Sequence, residues 1–390
     1  MAGKRPQILM YFVNAFFWMT VYAYVPQFSD YIKHGIGASA TMVGLIAGSY
    51  GITQMLVRLP LGIWSDRLRR RKPFILAGIA AGGLSSMLMF LYPASPTALF
   101  FGRLGAGLAA CCYVQISILF SSYFEGKAHS MGFVEGSTAA GQLTAMLVGG
   151  AVSSWVGYRY TFLAAALLAL VGMALASFAA ESRKARQPMA LRDVGAVLSE
   201  RSLVVAAVLA IFTQAVNFGK AYVFAPVAAA AFHASQFELS LLTAAFQLPV
   251  AVLSPIVATK FAPRAGARRL VAAGFLLQAL SCAMVPLSAG LGWMYLSQFI
   301  TGLGYALIFP ALMALSVSRM PEDKRATAMG FYQAVYGIGI FAGPYLTGWF
   351  TDLLGQDASF YINAGMALAA ALGALAFISV TAGKKKEVRA

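Results

Sequence analysis

The sequence predicts an all-α membrane protein of twelve helices, arranged as two related six-helix bundles. Three observations predict it. The 390-residue chain is 60% hydrophobic and only 11% charged, with a mean hydropathy of +0.74. Soluble domains sit nearer half apolar and a quarter charged. Its apolar runs reach the ~20 residues that cross a bilayer as helix. The chain also repeats itself: Met131-Gly132-Phe133 returns 198 residues later as Met329-Gly330-Phe331. At the same offset Gly141, Gly150, Gly157 and Phe162 are matched by Gly339, Gly348, Gly355 and Phe360. A membrane chain duplicated at half its length is expected to form two homologous halves with a site between them. The runs are too long and too continuous for the alternating strands of a barrel.

The twelve spans follow in order. Span 1 covers 8–29 and ends around Pro26. Span 2 (40–63) runs into an arginine-rich loop. Spans 3 and 4 (74–93 and 97–121) are separated by a very short connection. Span 5 (131–152) carries the first copy of the repeat, and span 6 (160–180) ends at the one long polar stretch. Spans 7 to 12 cover 203–225, 238–259, 269–288, 291–317, 327–351 and 359–382. The second copy lies in span 11. The polar stretch 181–202 divides the chain into bundles at 1–180 and 203–390. Met189, Leu191, Val194, Val197 and Leu198 give it the pattern of a short amphipathic helix on the membrane surface.

A net charge of +16 would fit nucleic acid, but its distribution argues against that. Most of the 29 basic residues fall in alternate loops, such as Arg67 to Lys72, Arg183 to Arg201, and Lys384 to Arg389. The positive-inside rule then places both termini in the cytoplasm, as an even number of spans requires, and the protein in the cell membrane. Cys111, Cys112 and Cys282 lie inside spans and read as packing residues. The first apolar run is too long for a cleaved signal peptide. No phosphate loop, metal-ligand cluster or nucleophile–base arrangement is present, so neither an enzyme nor a cofactor or metal is expected, and a monomer is.

Between spans 2 and 3 the chain reads Gly62-Ile-Trp-Ser-Asp66-Arg67-Leu-Arg69-Arg70-Arg71-Lys72. Gly62 lets helix ends approach closely, and Asp66 suits a helix N-terminus or an arginine partner. The stretch resembles the signature of the major facilitator superfamily, with Arg69 where that family usually has Gly. The resemblance implies a conformational latch built from Gly62, Asp66, Arg67, Arg70 and Arg71. A worn copy at Lys260 to Arg269 lacks the acid. Span 4 reads Arg103-Leu-Gly105-Ala-Gly107, similar to the family motif whose arginine is linked to proton coupling; Gln298 stands at the corresponding place in span 10. Span 5 keeps Gly132, Gly141, Gly149 and Gly150 of the family's antiporter-type motif, but has Ala145-Met146 in place of Gly-Pro. Span 11 retains Gly343-Pro344 with Gly330, Gly339 and Gly348. These small residues read as close helix packing, and Pro344 as a kink.

Glu135 is the one acid clearly within a span, and its repeat counterpart is Gln333. A carboxylate at membrane depth is costly when ionised, so Glu135 reads as a proton carrier or as a structural hydrogen-bonding group. Arg103 and Lys220 also lie within spans. At ~1.5 Å per residue both sit about 9 Å to the outer side of their span midpoints, and Glu135 lies a similar distance to the inner side. A direct Glu135–Arg103 pair is therefore not expected. Lys220 either snorkels outward or faces the cavity, where it would join Arg103 in favouring an anionic solute. Asn14, Trp18, Tyr113, Gln115, Gln142, Gln214, Asn217, Gln247, Tyr332, Gln333 and Tyr336 complete a candidate solute cavity suited to an organic amphiphile. The expectation is a proton-coupled secondary transporter of such a solute, working by alternating access, with efflux favoured. An importer or a lipid flippase of the same fold is the alternative.

Overall fold

The structure is a computed structural model. It describes residues 4–124, 127–181, 199–321 and 324–378. The expected surface helix within 181–202 falls largely outside the described residues, as does the basic C-terminal tail.

Twelve long helices are present among the described residues, at the expected places: α1 Arg5–Gly35, α2 Ala40–Leu68, α3 Lys72–Leu91, α4 Pro96–Ser122, α5 Lys127–Trp155, α6 Arg159–Ser177, α7 Arg201–Phe232, α8 Gln236–Phe261, α9 Ala262–Met284, α10 Leu291–Val317, α11 Arg325–Leu354 and α12 Gln356–Phe377. Ten meet the length and apolarity of a membrane crossing, and the glycine-rich α5 and α11 complete the set. Local chemistry starts them. Ser39 and Ser95 cap α2 and α4 by accepting from Met42 N–H and Ala98 N–H, as short hydroxyl side chains do. Ser235 and Glu238 form a reciprocal capping box at α8.

The two halves use one pairing plan. In the first, α1 packs on α5 and α6, α2 on α4, and α3 on α4 and α6. In the second, α7 packs on α11 and α12, α8 on α10, and α9 on α10 and α12. Each pair in one half is the other's counterpart six helices on. The halves meet mainly along α2–α11 and α5–α8, which are also images of each other.

The repeated glycines explain themselves in this frame. A Cβ on Gly141 or Gly149 would collide with the α1 backbone at Ala15 or Ala23, and one on Gly339 or Gly343 with the α7 backbone at Ile211 or Ala215. These hold each half together. Gly150 and Gly348 face the opposite half instead, against Ser240 of α8 and Ala40 of α2. Pro344 lies at the α2–α11 crossing, where its carbonyl leaves no room for a side chain on Gly44.

Several expectations need correction. Helix α2 does not stop at 63 but continues to Leu68, so Asp66 and Arg67 are helical. Gly62 touches nothing: the space around it is open, so its expected close approach is not made here. The worn loop at 260–269 is helix, interrupted at Gly266 (φ 77°). Arg69 ends α2 in the left-handed region, at φ 51° and ψ 30°. That conformation costs an L-residue roughly 1–2 kcal/mol, whereas glycine adopts it freely. We expect Arg69→Gly to raise stability by up to about 1 kcal/mol, read as a higher thermal unfolding midpoint in detergent.

Candidate transport site

The arginine loop between α2 and α3 defines one face of the molecule, called here the basic face. At the opposite face the halves are tied together. Asp352, at the end of α11, accepts from Ala40 N–H (2.9 Å), Thr41 N–H (2.7 Å) and Thr41 Oγ1 (2.7 Å). It caps the N-terminus of α2 from the other half, where a carboxylate is favoured. Gln27 Nε2 donates to Ser240 Oγ (2.6 Å) and Gln236 O (2.9 Å), and Ser153 Oγ to Gln236 Oε1 (3.1 Å). Nearer mid-membrane, Gln247 Nε2 donates to Gln142 Oε1 (2.6 Å) and Gln247 Oε1 accepts from Tyr222 Oη (3.2 Å). Toward the basic face α5 is open: Glu135 is exposed, and nothing approaches Gly136.

Between the halves runs a chain of aromatic rings. Tyr113 meets Trp18 (centroids 5.0 Å apart), Trp18 meets Tyr22 (5.6 Å), and Tyr22 meets Tyr222 across the interface (6.1 Å). In the second half the chain continues through Phe246 (5.2 Å), Tyr305 (6.1 Å), Phe309 (5.0 Å), Tyr336 (6.1 Å) and Tyr332 (5.5 Å). Four helices contribute by spacing aromatics one turn apart: Trp18 and Tyr22, Phe218 and Tyr222, Tyr305 and Phe309, Tyr332 and Tyr336. Residues four apart share a helix face. Such rings offer large apolar surface with polar edges.

At the first-half end of this chain is Glu135, in the third turn of α5. Its Oε1 accepts from Tyr113 Oη at 3.3 Å. Tyr113 also contacts Thr138 Oγ1 (3.3 Å). The carboxylate makes no ion pair among the described residues. Arg103 is elsewhere. It is buried in an aromatic box, with its guanidinium carbon 4.5 Å from the Tyr50 ring, 5.7 Å from Phe28 and 5.8 Å from Tyr24. Such rings attract a cation through their faces. Its Nη1 donates to Tyr24 Oη (3.4 Å).

Lys220 takes neither expected course. It is fully buried, and Nζ donates to Ser297 O (3.1 Å), Ser297 Oγ (2.8 Å) and Thr301 Oγ1 (2.5 Å) on α10. All three ammonium donors are thus used inside the second half. The reason lies in α7, which is π-helical over Asn217–Phe224. A π turn changes which face a residue presents, so a periodicity of 3.6 misassigns it. The expected outer pair of Arg103 and Lys220 is not formed.

The other candidates separate into two groups. Trp18, Tyr113, Tyr332 and Tyr336 belong to the ring chain, Gln333 follows it on α11, and Gln142 and Gln247 bridge the halves. Gln214 Nε2 reaches Tyr305 Oη (3.4 Å). The rest fasten helices. Asn14 Nδ2 donates to Val134 O, Ser137 Oγ and Thr138 Oγ1, and Asn217 Oδ1 accepts from Gln278 (3.1 Å). Gln115 donates to Ser65 Oγ (3.1 Å) near the basic face. In the expected latch, Asp66 pairs with Arg71 rather than Arg67, while Arg67 and Arg70 are exposed. Glu181 braces this loop by accepting from Arg71 N–H (2.8 Å) and Lys72 N–H (3.0 Å).

One charged residue escaped the sequence reading. Arg58, within α2, is buried; Nη1 donates to Tyr336 Oη on α11 (3.0 Å) and Nη2 to Ala110 O on α4 (3.2 Å). It is the third base inside a span, and it was legible as an arginine in the middle of the apolar run 40–63.

Two matched six-helix halves, closed over a polar and aromatic seam at one face, are the build of a membrane transporter. The model of the Major Facilitator Superfamily matches residues 8–219 and 203–390, and the chain belongs to that family. Tetracycline resistance protein, class C, of Escherichia coli is 25% identical over 343 residues, covering 85% of each chain. The solved structure of the nucleoside transporter NupG aligns with a TM-score of 0.75 over 95% of this chain and 98% of its own, at 15% identity. The human organic anion transporter MFSD10 aligns at 0.71 over 95% and 99%, at 16% identity. At such identities the structural likeness concerns the fold alone.

Proposed function

We propose that the protein exports an aromatic or amphiphilic organic solute in exchange for protons. The observation that carries this is Glu135. It is a lone carboxylate opening toward the basic face and hydrogen-bonded to the first ring of the aromatic chain. A group that must be neutral in one state and can be charged in another couples a proton to whatever displaces its partner. The rings supply a wall for a flat apolar body. The basic face is assigned to the cytoplasm by its arginines, so the cavity would load from inside the cell. The likeness to a protein named for tetracycline resistance supports the efflux reading.

The test uses inverted membrane vesicles and fluorescent aromatic amphiphiles in neutral, anionic and cationic forms. An acid-inside pH gradient is expected to drive accumulation of at least one form, lost on adding an uncoupler. Accumulation unaffected by the gradient, or found only in right-side-out vesicles, contradicts proton-coupled export.

A further inference from the structure

Arg58 is a charge without a counter-charge. It is 6% exposed, lies at the junction of α2, α4 and α11, and has no carboxylate partner among the described residues. Among the described residues its two hydrogen bonds go to neutral groups, a phenol and a carbonyl, and Nε has no partner. A buried guanidinium left so is costly, because charges removed from water require an opposite charge or full hydrogen bonding.

Neighbours along the seam share the deficit. One turn away on the same face of α2, Gln54 is buried and its Nε2 donates to nothing. One turn from Tyr336 on α11, Tyr332 is fully buried and its hydroxyl has no partner. Tyr332 and Tyr336 are adjacent rings. Among the described residues, an amide N–H, a guanidinium N–H and a phenol O–H without acceptors thus follow one stripe along the α2–α11 seam. Buried donors in native structures almost always have acceptors. A group that only accepts, and carries negative charge, would complete all three.

We infer that Arg58, with Gln54 and Tyr332, forms the recognition site for an anionic oxygen on the transported solute: a carboxylate, or an enolate or phenolate with the same acceptor chemistry. This rests on the reading of the seam as the solute cavity. Half-buried Tyr305 and Phe309 stand beside Tyr336, so a flat anion would place its charge on Arg58 and its body on these rings. Arginine suits the task because its planar fork holds two oxygens at once.

The test compares two forms of one probe, anthracene carboxylate and anthracene carboxamide, binding to the purified full-length protein. Quenching of tryptophan fluorescence reports it, since Trp18 is part of the ring chain. Wild-type protein is expected to prefer the carboxylate. Arg58→Gln should weaken carboxylate binding roughly ten- to a hundredfold, the range for a hydrogen bond to a charged group, and leave the carboxamide unchanged. Tyr332→Phe, which keeps the ring, should lower carboxylate affinity alone, and it decides the matter if Arg58→Gln does not fold. Equal binding of both forms by the wild type would leave the seam as a cavity for aromatic solutes and remove the anion site alone, which separates the two readings. Equal binding of both forms by the wild type, binding of neither, or a preference that survives in both Arg58→Gln and Tyr332→Phe overturns the proposal.

Discussion

Glu135→Gln is expected to reduce transport driven by a pH gradient to the level of protein-free liposomes, while solute binding changes by less than about threefold, or roughly 0.7 kcal/mol. Glutamine has the same shape, and its amide oxygen can still accept from Tyr113 Oη, so the ring chain beside it keeps its support. What is lost is the proton. A ligand shifts a conformational equilibrium only by its differential affinity for the two states. A group that cannot titrate gives the proton no differential affinity. Downhill movement of solute, without a gradient, should persist. The measurement is paired: binding to the purified variant, and flux in proteoliposomes with and without an imposed gradient. Full gradient-driven flux in the variant would remove Glu135 from the coupling role.

Gly44→Val is expected to have the second large effect, on conformation rather than chemistry. Any Cβ at Gly44 runs into the backbone carbonyl of Pro344, and a Cβ at Gly48 would lie 2.7 Å from Phe341 O. A backbone cannot step aside as a side chain does. Overpacking of this kind costs roughly 1–3 kcal/mol, which corresponds to a shift of about five- to 150-fold between two states. The contact exists because the halves are closed at the face opposite the arginines, so the cost falls on that state. A reporter cysteine at Gln27, buried between the halves, should label faster with an impermeant maleimide by about that factor. The three native cysteines are buried and give little background. Gly149→Val makes the contrast. Gly149 presses on Ala23 within the first half, so its substitution should lower thermal stability without favouring labelling. If both variants behave alike, the division of glycines into packing and gating sets is wrong.

The twelve spans and their duplication were legible because both are written in composition and spacing. Long apolar runs can span only as helices, and a glycine that holds two backbones in contact recurs in both copies. Gly141 and Gly339 perform the same task on α1 and α7. The ring chain is partly legible: Trp18, Tyr113, Tyr332 and Tyr336 stand out singly as aromatics within spans, but only the fold shows that four-residue pairs link them. The place of Lys220 is not legible, because a π turn is invisible to a fixed period. The motif predicts a close contact at Gly62, yet here it stands in the open. Cross-half partners such as Asp352 with Ala40 and Thr41 leave no pattern, since nothing in a linear chain indicates which ends will meet.

The ring chain is shared unevenly between the halves and crosses from one to the other at Tyr22–Tyr222. If this chain binds the solute as proposed, the solute surface is two hemisites rather than one rigid pocket. When the halves rock, each hemisite travels intact and their mutual register changes. A substitution deep in one hemisite, such as at Tyr305, then scales affinity alike for both orientations of the carrier. A substitution at the seam, at Tyr22 or Tyr222, changes the ratio of the two affinities, and that ratio sets how readily solute is taken up at one face and released at the other.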